Sequence, residues 1–187
     1  FAVPANEVTS LMRRHAKAVN FGIVYGISEF SLSEDIGVTR WEARDYIDSY
    51  LANYRGVKAY MKKVVEDARE CGYTRTMYGR RRYIPELSSP NKNLKHFGER
   101  VAMNSPIQGT AADIIKLAMI AVHRKLKQSG LDATLILQVH DELLIEANRD
   151  CCEQVLALLK REMEHAVELC VPLDVEAAIG ESWYGAK

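Results

Sequence analysis

The sequence carries few of the features that mark secreted, fibrous or membrane-embedded chains. Cysteine is scarce, with Cys71, Cys151, Cys152 and Cys170 the only four. None belongs to a C-x-x-C pair, and the adjacency of Cys151 and Cys152 suits neither a zinc knuckle nor a redox dithiol. Half-buried thiols in a reducing compartment are the simpler reading. Glycine numbers 11 and proline 5 among 187 residues, which excludes a collagen-like fibre. No stretch reaches the roughly 18 consecutive apolar residues that a spanning helix needs. Phe1-Ala2-Val3-Pro4 lacks the positive region and apolar run of a signal peptide. With no Met at position 1, the chain reads as a piece of something longer or as a processed product.

What is present points to a folded domain. Hydrophobic residues make up 48% of the chain, enough for one sizeable core or two smaller ones. The formal net charge is zero, but the charge is unevenly spread. Residues 1–100 carry 17 basic and 12 acidic side chains, and residues 101–187 carry 8 and 13. A positive half and a negative half fit a polyanionic partner and a site that gathers cations, although they demand neither.

Periodicity predicts helices over 8–25, 39–54 and 56–70. Thr39 and Glu42 form the Thr-x-x-Glu capping-box pattern, and Gly72 stops the third helix. Short strands are expected at 73–77 and 83–84, and a helix over 94–103. Ser105-Pro106-Ile107-Gln108 reads as a fresh helix start, with serine as N-cap and proline in the first turn. That helix runs to about Gln128. Strands at 134–139 and 143–146 flank His140-Asp141-Glu142 as a tight hairpin. Asn148 or Asp150 then caps a helix to about Leu169, and a last strand covers 175–179. The predicted fold class is α+β, a mostly helical lobe joined to a small antiparallel sheet.

Three clusters carry candidate chemistry. Arg13, Lys17, Phe21 and Tyr25 recur every fourth residue, so they lie along one slowly turning stripe. Two cations can hold a polyphosphate and a ring beyond them can stack on a base. Gly22 and Gly26 would let a body such as a base approach the backbone. An ordinary helix with snorkelling cations and core aromatics has the same pattern. In the second cluster, Asp141 at a hairpin turn can offer a carboxylate to Mg²⁺, which wants one or two carboxylates plus substrate phosphates. Aspartate is also a plain turn former. The third cluster is a basic loop, with Arg80, Arg81 and Arg82 beside Tyr78 and Tyr83. It suits phosphate contacts along a duplex, or is simply a solvated face. Arg100, Asn104 and Gln108 follow at spacings of four and could sense minor-groove acceptors.

Taken together, several strings resemble the C-terminal part of the bacterial DNA polymerase I enzymes, in the A family of DNA polymerases. They are residues 13–26 (RRHAKAVNFGIVYG), Gly79-Arg80-Arg81-Arg82, Glu99-Arg100 with residues 104–113 (NSPIQGTAAD), Gln138-Val139-His140-Asp141-Glu142, and Trp183-Tyr184. The resemblance covers essentially the whole chain. It implies an incomplete right-hand fold, with residues 1–90 as fingers and 91–187 as the C-terminal part of the palm. It also implies a DNA-directed DNA polymerase of bacterial cytoplasm and nucleoid, active in replication and repair. The partners would be primer-template DNA, dNTP and Mg²⁺, with no membrane.

The same resemblance assigns roles. Arg13 and Lys17 would contact the triphosphate, with Lys17 also general acid toward the leaving pyrophosphate. Phe21 would line the sugar pocket and imply ordinary discrimination against dideoxynucleotides. Tyr25 would sit by the templating position. Arg100, Asn104, Gln108 and His140 would touch the nascent duplex or primer end. Asp141 would be a catalytic metal ligand, with Glu142 in a supporting role. The family's other catalytic aspartate lies in an upstream motif, Asp-Tyr-Ser-Gln-Ile-Glu-Leu-Arg, that is not in this sequence. The chain alone is therefore expected to be inactive, and the uncovered sheet to self-associate as a dimer or swapped assembly. His96 and Gly98, where relatives often have Ser and Ala, are expected to loosen the helix near Arg100. A non-catalytic nucleic-acid binder and a single-subunit RNA polymerase relative are the alternatives.

Overall fold

The computed structural model describes residues 3–186. Phe1 and Ala2, at the expected cut end, lie outside the described residues, as does Lys187. The architecture is α+β, long helices with two small antiparallel hairpins. It divides into two compact units, residues 1–107 and 108–187. No helix is long and apolar enough to cross a membrane among the described residues.

The first unit opens with α1 (Ser10–Val24), whose N-cap Thr9 accepts a hydrogen bond from the Met12 N–H. Its other end is a Schellman motif. The Ile27 N–H bonds the Gly22 carbonyl at 2.8 Å and the Gly26 N–H bonds that of Ile23 at 2.9 Å. Gly26 takes φ 76°, a conformation most side chains resist. α2 (Glu29–Ile36) follows, capped by Ser28 and closed by Gly37 at φ 67°. Sequence periodicity did not single it out, because eight residues give only two turns of pattern. α3 (Arg40–Asn53) begins at the expected capping box, formed in both directions between Thr39 and Glu42. Leu32 and Ile36 of α2 and Ala43 of α3 are buried together, with Ala18 and Val19 of α1 against them.

α4 (Arg55–Cys71) ends at Gly72, as predicted. It leads into β1 (Tyr73–Arg75), paired with β2 (Arg81–Tyr83) in the register Tyr73 to Tyr83 and Arg75 to Arg81. Ala68 of α4, with Ile84 and Leu87 after β2, forms a second small core with Ala102 of α5 (Lys92–Ser129).

α5 corrects the sequence reading, for the two helices expected on either side of Ser105 are one, with Pro106 inside it. An interior proline costs about 3 kcal/mol. Ala102 before the proline is fully buried with Ala68, Ile84 and Leu87, and Val122 and Leu126 after it are almost fully buried, so each side of the break signal is held helical by its own core. The boundary between the two units falls one residue after Pro106. Gly98 does not loosen the helix either. A Cβ there would lie 3.0 Å from the Leu87 backbone nitrogen, so glycine lets the turn at Pro85–Ser88 pack against α5.

In the second unit, β3 (Ala133–Val139) and β4 (Glu142–Ala147) form an antiparallel hairpin. A bulge between Leu135 and Leu137 disturbs its register. Leu143 of β4 is buried with Ala118, Val122 and Leu126 of α5 and Val155 of α6 (Cys152–Glu164). Asn148 caps a short 3₁₀ turn before α6. α6 stops at Glu164 rather than Leu169. The last turn tightens there, the Ala166 N–H bonding the Met163 carbonyl, and the His165 ring also meets the Arg161 carbonyl. The strand expected at 175–179 does not form, because that segment finds no ladder partner among the described residues. Instead the Val175 N–H reaches the Glu164 carboxylate.

Candidate functional site

The stripe predicted along α1 exists. Arg13 and Lys17 are exposed, and among the described residues no carboxylate pairs with either. A cation without an internal counter-ion is available to an incoming phosphate. The Phe21 and Tyr25 rings follow one turn apart, 6.4 Å between centroids and inclined by only 18°. They are 49% and 47% exposed, which leaves each ring a face for a flat ligand.

Tyr25 is the C-cap of α1, and α5 holds it in place. Asn104 Nδ2 donates to the Tyr25 carbonyl at 3.4 Å. A Cβ on Gly26 would lie 2.5 Å from Met103 Cε and 3.3 Å from Arg100 Cγ. The bare side of Gly22 is filled by Ile27, 3.0 Å from where a Cβ would be. Both glycines thus admit protein neighbours rather than an external base at those positions. Of the predicted residues, the structure brings Tyr25, Arg100 and Asn104 together.

Beside them opens a cleft of about 440 Å³ lined by Gly26, Ser28, Asn93, His96, Glu99, Arg100 and Met103. Sequence reasoning had not placed Ser28, Asn93 or Glu99 at a site. Burial pushes the Glu99 carboxyl up, but hydrogen bonds from His96 and Arg69 outweigh that and hold it below the ordinary carboxylate range. The wall of the cleft therefore carries an ionised Glu99 whose charge is met by Arg69 and His96, next to Arg100. The only local signal for this was the (i, i+3) spacing of His96 and Glu99.

Arg80, Arg81 and Arg82 are all exposed on their own hairpin. Arg75 and Arg81 lean over the Tyr73 ring at 5.0 and 4.9 Å, while Tyr83 meets that ring edge-on. Such stacking stiffens the guanidinium groups without neutralising them.

In the second unit, His140 and Asp141 make the two-residue turn between Val139 and Glu142. His140 takes φ 51°, the one non-glycine residue at positive φ among the described residues. A first turn residue at positive φ matches the twist of paired strands, but glycine or asparagine usually fills it. Gln138 Nε2 donates to the His140 carbonyl at 2.6 Å and buttresses the turn. Asp141 and Glu142 are exposed, and Glu142 Oε2 accepts from Trp183 Nε1 at 3.2 Å. Among the described residues no three His, Cys, Asp or Glu side chains gather where they could hold a metal ion. Adjacent exposed carboxylates on a buttressed turn suit a hard cation that takes its other ligands from phosphate and water. Gln108 lies in this second unit, on α5.

Comparison with known proteins bears on all of these positions. Residues 1–185 match DNA polymerase family A. The chain is 57% identical over its full 187 residues to DNA polymerase I of Bacillus subtilis, covering 21% of that protein. It is 51% identical over 183 residues to DNA polymerase I of Pseudomonas aeruginosa, covering 20% of it. Its fold superposes with a TM-score of 0.94, at 44% identity, on a solved POL domain of Pol1 from M. smegmatis in complex with DNA primer-template and dNTP. All of this chain and 33% of that one are covered. The chain spans about a fifth of the length of these curated relatives.

Proposed function

The chain belongs to DNA polymerase family A, and we propose that it supplies the fingers and part of the palm of a DNA-directed DNA polymerase. Residues 1–90 act as fingers and 91–187 as palm. The observation that carries this reading is the exposed face of α1, with two cations that no carboxylate among the described residues pairs with, followed by two near-parallel, half-exposed rings.

On this reading Arg13 and Lys17 hold the triphosphate of the incoming dNTP, and Phe21 packs by its sugar. Tyr25, fixed by Asn104, marks the templating position, and the cleft beside it takes a template nucleotide. Arg100, Asn104, Gln108 and His140 track the nascent duplex, and Arg80, Arg81 and Arg82 contact phosphates electrostatically. Sequence choice then comes from base pairing, because minor-groove acceptors are nearly alike for all pairs.

The primer 3′-hydroxyl oxygen forms a bond to the α-phosphorus while the bond to pyrophosphate breaks, and the hydroxyl proton leaves to solvent water. Lys17 Nζ hands a proton to the departing pyrophosphate oxygen and so spares it a full extra charge. Asp141 would hold Mg²⁺ together with a carboxylate from outside this sequence, and Glu142 would act beside it. Bound there, the metal supplies charge compensation on the phosphates and a more acidic primer hydroxyl. Asp141 and His140 orient that end of the reaction through the buttressed turn.

Steady-state extension by the chain lengthened upstream to the size of its relatives tests this reading. It should use dNTPs and discriminate strongly against NTPs. Equal use of NTPs would favour the RNA polymerase reading instead.

A further inference from the structure

We infer that Trp183 is a positioning residue of the proposed active site, acting through Glu142, and that the strap 180–186 exists to present it. The inference rests on the polymerase reading of the His140-Asp141 turn and extends it to a residue 41 positions further along the chain.

Glu142 heads β4 directly after Asp141, and its side chain is exposed. A glutamate there has three rotatable bonds and samples many positions unless something holds it. The Trp183 indole holds it, Nε1 donating to Oε2 at 3.2 Å. The identity of the donor matters. A lysine or arginine would fix the carboxylate equally well but would cancel its charge. The indole N–H is a donor only and carries no charge. It orients Glu142 without bringing a charge of its own.

The strap that carries the indole has no helix or strand of its own, yet it is tied down. Arg149 at the start of the turn before α6 pairs with Glu181 at 2.6 Å. The Gly185 and Ala186 N–H groups both bond the Ser182 carbonyl, at 3.0 and 3.1 Å. The strap then folds flat onto Gly180, where a Cβ would lie 2.5 Å from the Gly185 carbonyl carbon. Real Cβ atoms do not approach backbone that closely, so only glycine permits this path. Gly180 thereby sets where the indole sits.

The test uses the chain extended upstream to the length of its relatives, in single-nucleotide incorporation. Trp183→Phe keeps a ring and removes the N–H. Its kcat should fall by about tenfold or more, the usual cost of losing a partner that orients a metal-site group. Mg²⁺ binding read by titration calorimetry, without turnover, should weaken, while KM for dNTP stays within about twofold. In a Glu142→Ala background, where no acceptor remains, the same substitution should have almost no further effect, because the two residues act as one unit. Gly180→Ala leaves Trp183 intact but displaces the strap, and should reproduce the loss with the same dependence on Glu142. Unchanged kcat in Trp183→Phe would overturn the inference, and so would an equal loss with and without Glu142. Absence of activity in the unsubstituted enzyme would instead overturn the polymerase reading beneath it.

Discussion

Replacing Asp141 by asparagine in the upstream-extended chain should lower the rate of nucleotide incorporation by roughly 10³-fold. A metal-bound carboxylate supports several kcal/mol of charge stabilisation in phosphoryl transfer. About 4 kcal/mol of it, at about 1.36 kcal/mol per tenfold, gives that factor. The fold should hardly notice. Asp141 is exposed at a turn, and such substitutions usually change stability by about 0.5 kcal/mol or less. Primer-template affinity should also stay within about twofold. Loss of activity together with loss of folding would mean that Asp141 shapes the hairpin rather than the chemistry. Urea unfolding beside the kinetics separates the two.

The second large effect concerns α1. Lys17→Ala should reduce kcat by about 10²- to 10⁴-fold, the range for a general acid. Lys17→Arg is the more informative variant. Arginine keeps the positive charge but does not give up its proton in proteins. Triphosphate binding should then survive, with KM for dNTP nearly unchanged and kcat still low. Arg13→Ala should do the reverse, raising KM more than it lowers kcat, because its charge binds the triphosphate without transferring a proton. If Lys17→Arg restored full kcat, Lys17 would be a phosphate anchor and the proton donor would lie elsewhere. Pre-steady-state incorporation at varied dNTP resolves KM from kcat for all three.

The local structure of both candidate sites was legible in the sequence. The α1 stripe needs only the helical period, and Thr9 and Gly26 close the helix where the pattern ends. The hairpin needs only two apolar runs around a polar turn, and Leu143 anchors it in the core. The capping box at Thr39 is equally local, and both halves of it form.

Features that hid in the sequence are the ones decided at a distance. Ser105-Pro106 looks like a helix start, yet Ala102 before it and Val122 and Leu126 after it are each buried in a core, and one helix runs through. Residues 175–179 have the composition of a strand, but a strand exists only by its ladder, and none is available among the described residues. Gly22 and Gly26 signalled close approach correctly but not what approaches. Ile27 fills one position and Met103 with Arg100 the other. The cleft beside Tyr25 draws on residues some 70 positions apart, and the Trp183–Glu142 bond on residues 41 apart. No period or spacing encodes such pairs, because they follow from how whole elements pack.

The most direct measurement is Mg²⁺-dependent primer extension by the 187-residue chain beside the same chain extended upstream to the length of its relatives. Extension by the longer protein alone is the expected result. It would place Asp141 in a metal site completed from outside this sequence. Extension by the short chain at a comparable rate would contradict that site, and extension by neither would leave a nucleic-acid-binding module in which Lys17 and Asp141 have no catalytic part.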